Sequence, residues 1–152
     1  MLNLSSVIIR LKQVADFAPQ YECGVLVEDE EFRNLLESYP QLAKFPTYLE
    51  FLRITGGAHI SNKTFSLGIY GFSGMVVPSF EEVVLVEQEH FFQFGEVLYY
   101  ESNAQCYFVF DLRSEKDSVY EIGENDTGYK LSNSSWIEFL QRFADGDYPG
   151  MS

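Results

Sequence analysis

Hydrophobic spacing in this 152-residue chain changes from helical to alternating at Gly56-Gly57, and that change constrains the fold more than any other feature. Before the glycine pair, apolar residues recur every three to four positions, the repeat of an amphipathic helix. After it they alternate, the repeat of a half-buried strand. Val7, Leu11, Val14 and Ala18 set out a first helix that Pro19 stops. Asp29 is placed to cap a second, with Phe32, Leu35, Leu36 and Tyr39 on one face and Pro40 beyond its end. Pro46 opens a third at a first-turn position, where a missing N–H costs nothing. Its apolar face is Tyr48, Phe51, Leu52 and Thr55, and the glycine pair supplies a left-handed cap.

Past the pair, Phe65, Leu67 and Ile69 alternate with Ser66, Gly68 and Tyr70 as one strand. Residues 96–100 and 105–111 form two more, joined by a hairpin connection over 101–104. Val119, Tyr120 and Ile122 add a strand on which Tyr129-Lys130-Leu131 folds back. Residues 79–94 carry conflicting signals: Pro78 with Phe80, Val83 and Val84 reads as a short helix, although the valines favour a strand. The chain closes on a capping box, Ser135-Trp136-Ile137-Glu138, and a helix with Trp136, Phe139, Leu140 and Phe143 on one face, ended by Gly146. The expected architecture is α+β: a mostly antiparallel sheet with N-terminal helices and a closing C-terminal helix packed on it. No linker-like tract divides the chain, and 46% hydrophobic residues suffice for one core, so residues 1–152 are read as a single domain.

Charge narrows the function classes. Ten Lys and Arg stand against 23 Asp and Glu, a net charge of −13. A binder of nucleic acid needs a basic stripe to displace counterions from phosphates, and docking on an anionic lipid leaflet needs the same sign. Neither direct nucleic-acid binding nor membrane association is expected. Cys23 and Cys106 are far apart and make no CxxC pair, and the first ten residues lack a basic leader region. The reading is a cytoplasmic protein with reduced thiols.

Signs of chemistry are few. His59 and His90 have no HxxxH, HxH or HExxH neighbourhood, so no metal site is expected. Cys106 sits in an aromatic strand, where burial as a small hydrophobe suits it, and Cys23 lacks the positive surroundings that activate a thiolate. The glycines of Gly68 to Gly74 lack the lysine of a phosphate loop, and the turn from Gly123 to Gly128 lacks the terminal glutamate of a calcium loop. No catalytic constellation and no cofactor are expected. What stands out is an asymmetry. From Thr64 to Leu112 there is no Lys or Arg, while seven acidic residues fall there, and Glu28-Asp29-Glu30-Glu31 adds a second dense group. Uncompensated like charge is tolerated most readily where an outside partner supplies the opposite sign. Glu81, Glu82, Glu87 and Glu89 are therefore the candidate partner-binding residues, with the aromatics from Phe91 to Tyr100 beside them as possible anchors.

Three stretches, in order, resemble the SUKH superfamily. The first is Phe45-Pro46-Thr47-Tyr48-Leu49-Glu50-Phe51-Leu52-Arg53-Ile54-Thr55-Gly56-Gly57, a proline-led helix ending in a glycine pair. The second is Cys106 to Leu112 followed by Val119 to Ile122, similar to the family's hairpin and following strand. The third is Ser134-Ser135-Trp136-Ile137-Glu138-Phe139-Leu140, similar to its closing helix. Pro46, Tyr48, Phe51, Leu52, Gly56, Gly57, Trp136, Phe139 and Leu140 carry the likeness as structural positions, while Thr55 stands where the family commonly has Asn. Residues 71–94 have no counterpart in it. The resemblance implies an α+β fold and a non-enzymatic immunity protein that binds and neutralises a cognate toxin, often a basic nuclease. A related branch regulates cell-wall synthesis through protein contacts, which leaves a regulatory or scaffolding module as the alternative. Neither reading sets an oligomeric state.

Overall fold

The computed structural model describes residues 3–21, 29–72, 78–79, 90–123 and 128–150. Its elements in chain order are α1 (Leu4–Val14), β1 (Asp16–Pro19), α2 (Asp29–Ser38), a 3-10 turn (Pro40–Lys44), α3 (Pro46–Thr55), β2 (Ala58–Ser61), β3 (Phe65–Ile69), β4 (Phe91–Tyr99), β5 (Ala104–Asp111), β6 (Val119–Gly123), β7 (Lys130–Asn133) and α4 (Trp136–Asp145). The strands form one antiparallel sheet in the order β1-β2-β3-β4-β5-β6-β7. The α+β class is as the sequence reads, and no helix among the described residues is long and apolar enough to cross a membrane.

The helices start and stop where their chemistry requires. In α1 the Asn3 carboxamide accepts from Ser6 N–H, and Leu4, Val7, Ile8 and Leu11 are buried. That face ends sooner than the spacing implies. Ala15 N–H closes on Leu11 C=O, Val14 is exposed, and Ala18 and Pro19 belong to strand β1. The reason is a competing partner: Asp16 to Pro19 pairs with Ser61 to Ala58. Pro19, missing its N–H, is tolerated because β1 is an edge strand. In α3, Pro46 sits in the first turn, and Tyr48, Phe51, Leu52 and Thr55 are buried. Gly56 caps it in the left-handed region at φ 68°. In α4, Ser135 Oγ accepts from Glu138 N–H at 3.2 Å, while the Glu138 carboxylate takes the neighbouring Ser134 hydroxyl.

Residues 91–94, read from the sequence as part of a short helix, lie instead in β4. Their aromatic side chains pair across to β5, with Phe92 opposite Phe110. Residues 80–89 lie outside the described residues. A bulge between Gln93 and Gly95 then decides which way every later side chain of β4 points. Phe92 and Phe94 are both buried against the helices. Strict alternation from them would send Glu96 into the core. The extra residue flips the phase, so Val97 and Tyr99 are buried and Glu96 turns to the opposite face.

One hydrophobic cluster joins the helices to a single face of the sheet. At its centre Trp136, fully buried, meets Tyr48, Phe51 and Phe94 edge-to-face at ring separations of 5.2, 5.6 and 4.9 Å. Such pairs each add about 0.5–1.5 kcal/mol beyond the area they bury. Replacing Trp136 with Ala should cost about 3–5 kcal/mol of unfolding free energy in a denaturant titration. A loss below about 1 kcal/mol would mean that this ring does not hold α4 to the sheet.

Candidate functional site

The turn after α3 holds two chain exits at one end of the sheet. Thr55 Oγ1 donates to Phe51 C=O at 2.8 Å and accepts from Gly57 N–H at 3.1 Å, so a threonine does here the capping that an Asn can do. The chain leaving β1 docks on this turn through Gln20 N–H to Gly57 C=O and Tyr21 N–H to Thr55 C=O, at 2.8 and 2.9 Å. The chain leaving β3 docks through Phe72 N–H to Gly56 C=O at 3.2 Å. Space is minimal. A Cβ at Gly71 would overlap the Gly56 carbonyl, and one at Gly57 would come within 2.7 Å of Gly71 Cα. The Tyr21 hydroxyl donates to Glu31 on α2, and Phe32 packs on Phe72 with ring centroids 5.2 Å apart.

Between α2 and the chain at Gly71, Phe72 and Ser79 lies a groove of about 460 Å³ that Glu31, Asn34 and Tyr39 also line. Tyr21 and Phe72, the last described residues before 22–28 and 73–77, both meet at this corner, and Pro78 C=O accepts from Gly71 N–H there. Gly71→Ala should therefore lower stability by about 1–3 kcal/mol or more, as overpacking against backbone does. Gly128→Ala, where a Cβ meets nothing within 4 Å, should stay within about 0.5 kcal/mol in the same unfolding measurement. Equal effects would mean that the glycine contact at residues 56, 57 and 71 is not a close one.

The sheet face turned away from the helices is chemically distinct. None of the strands β1 to β6 contains a Lys or Arg; the cations stand on the helices, in loops, and at Lys130 in β7. Along this open face, His59, Gly68, Glu96, Tyr107 and Ile122 form one cross-strand row from β2 to β6. Ser66, Leu98 and Gln105 form the row beside it. Gln105 Nε2 donates to Glu96 Oε2 at 2.8 Å, and His59 Nε2 shares a 2.7 Å hydrogen bond with Ser66 Oγ. A depression of about 230 Å³ lies among His59, Ser66, Gly68, Glu96, Val97, Leu98 and Gln105, with Pro78 as a further wall.

Further along, Gln93 donates to the Tyr70 hydroxyl at 2.8 Å, and burial together with the Glu96 carboxylate pushes that phenol well above its ordinary range. At the far end the Arg113 fork grips Asp111 at 2.9 and 3.0 Å, holding its carboxyl below the usual carboxylate range.

The four glutamates singled out from the sequence, Glu81, Glu82, Glu87 and Glu89, lie outside the described residues, as do Cys23, Glu28 and the Asp29 side chain. Glu30 and Glu31 are on α2. Of the structural positions, Tyr48, Phe51, Leu52, Trp136, Phe139 and Leu140 fall in the core, Gly56 and Gly57 form the turn that caps α3, and Pro46 is exposed in the first turn of α3.

Cys106 is buried on the helix-facing side, its thiol 3.4 Å from the carboxylate of Glu121, itself buried and directed inward. His59 and His90 are apart, one on the open face and one in the turn before β4. Among the described residues His59 hydrogen-bonds only to Ser66, and no group of three His, Cys, Asp or Glu side chains is arranged to hold a metal. The open face's Glu96, His59 and Ser66 were not singled out as a set, although the cation-free run containing Glu96 was the available signal. No protein-family model, curated protein or solved structure significantly matches the chain.

Proposed function

We propose that this chain is a non-enzymatic, cytoplasmic immunity protein of the SUKH type, which binds and neutralises a cognate basic toxin, a nuclease, through an acidic face. The observation that carries the proposal is the exclusion of Lys and Arg from six adjoining strands in a chain of net charge −13. A nuclease must present cationic groups to phosphate. A protein face whose strands β1 to β6 contribute carboxylates and no Lys or Arg, with Arg113 from the following loop paired to Asp111 at its end, is complementary to that surface and can stand in for the nucleic acid.

The same field acts before contact. Complementary potentials steer encounter and raise association rates by roughly 10–10³-fold at low salt. The resemblance supports the reading independently of charge, since its motif residues serve here as core and cap, and function is left to the surface.

The test is kinetic. Against the toxin domain encoded beside it, the protein should form a 1:1 complex whose association slows as salt rises through a Debye length of about 10 Å at 0.1 M. Reversing Glu81, Glu82, Glu87 and Glu89 to Lys should slow association by about tenfold or more at low salt, with the thermal transition unchanged. An association rate indifferent to both salt and reversal would contradict the acidic-face mechanism. Binding to housekeeping proteins in place of a toxin would favour the regulatory-module alternative.

A further inference from the structure

We propose that Asp147–Gly150, the segment following α4, is a strap that lifts off the core as a unit while the helices and strands stay folded. Lifting uncovers a buried thiol and carboxylate, and nothing in this device depends on the acidic face. Cys106 and Glu121 stand on the helix-facing side of β5 and β6, 4% and 7% exposed, with thiol and carboxylate 3.4 Å apart. Gly150 lies directly on them. Its φ is 76°, and a Cβ there would come within 2.7 Å of Glu121 Oε2 and 2.8 Å of Cys106 Sγ. Beside it the Tyr148 ring packs on Phe65, Tyr99 and Phe143, with centroids 5.1, 6.0 and 6.0 Å away.

The strap belongs to neither the sheet nor the helix. Gly146 ends α4 in the left-handed region with its N–H on Arg142 C=O, so the helix is capped before the strap begins. A Cβ at Gly146 meets nothing within 4 Å, which leaves this hinge room to turn. Asp147 N–H also reaches Arg142 C=O, at 3.1 Å. Beyond it, two side chains of the fold hold strap carbonyls: Arg142 Nε donates to Asp147 C=O at 2.9 Å, and the Tyr99 hydroxyl donates to Pro149 C=O. Burial first, then Cys106 and Glu121, push the Tyr99 phenol far above its ordinary range, so it stays a donor.

Glu121 makes lifting easier. Among the described residues no ion pair reaches its carboxylate, because the Arg142 guanidinium is shared by Asp147, Ser132 C=O and Asn133. Burying a carboxylate without a cation is unfavourable, and water regains it when the strap lifts. That hydration offsets part of the packing that Tyr148 gives up. A segment held by few polar latches over a group that gains from water is a unit of local opening.

Cys106 reports the motion. In a Cys23→Ser background, iodoacetamide alkylates the Cys106 thiolate with loss of iodide, and the rate follows the fraction of open strap. It should be insensitive to urea well below the unfolding transition, since so short an opening exposes little surface. Tyr99→Phe keeps the ring but removes a latch, and should speed alkylation by about tenfold or more, as expected when a buried carbonyl loses its donor. Gly150→Ala should act in the same direction, because the added methyl presses on Glu121 and Cys106. Gly128→Ala, with open space around its Cβ, should leave the rate unchanged. A rate that climbs with urea along the slope of global unfolding would overturn the strap, since the thiol would then be reached only through the unfolded chain. Rates indifferent to both Tyr99→Phe and Gly150→Ala would overturn it too, as would alkylation as fast as that of an unfolded thiol.

Discussion

Edge-to-face packing of Trp136 against Tyr48, Phe51 and Phe94 ties the closing helix, the proline-led helix and the central strand into one aromatic block. The block forms on one side of the sheet because most of the inward-facing residues of β2 to β6 are apolar, Glu121 excepted, and the helices bring their own apolar stripes to meet them. The opposite face is buried in part, at Tyr70, Gln93 and Val109, and half-buried around His59, Glu96 and Gln105, where its chemistry differs. In this chain that other face carries acids, amides, a histidine and aromatic edges, and no cation on six of its seven strands.

Two local devices connect the core to that face. The bulge in β4 reverses the phase of alternation after two aromatic residues have been buried, and so presents Glu96 outward while Val97 and Tyr99 are still buried. The turn at Thr55, Gly56 and Gly57 lets three backbone segments approach closely enough to share hydrogen bonds, and so fixes the positions of Tyr21 and Phe72. Neither device has a reactive group at its centre. Both determine what the surface displays.

Much of the fold was legible in residue spacing. Helix α3 was readable because its proline, its apolar face and its glycine cap agree, and α4 because Ser135, its aromatic face and Gly146 do. Strands β3, β5 and β6 followed from alternation. The misreading at Ala18 and Pro19 has a physical source: helical spacing continues past Val14 by coincidence, while pairing with β2 claims those residues for an edge strand. Strand β2, Ala58–Ser61, is too short for its own period to register. Phe91 to Phe94 were obscured because the bulge breaks the alternation that would have announced a strand.

Of the candidate site, the cation-free run was visible in the sequence. The row that puts Glu96 next to Gly68, and Gly68 next to His59, was not, because it depends on register between residues far apart in the chain.

The most direct test asks which side of the sheet the partner touches. Leu98 and Ile122 are half-buried on the open face, whereas Ile9 and Ile54 are exposed on α1 and α3. Methyl-labelled protein bound to its toxin should show its large chemical-shift changes at Leu98 and Ile122, with Ile9 and Ile54 silent. Changes confined to Ile9 and Ile54, with the sheet methyls unmoved, would contradict the account.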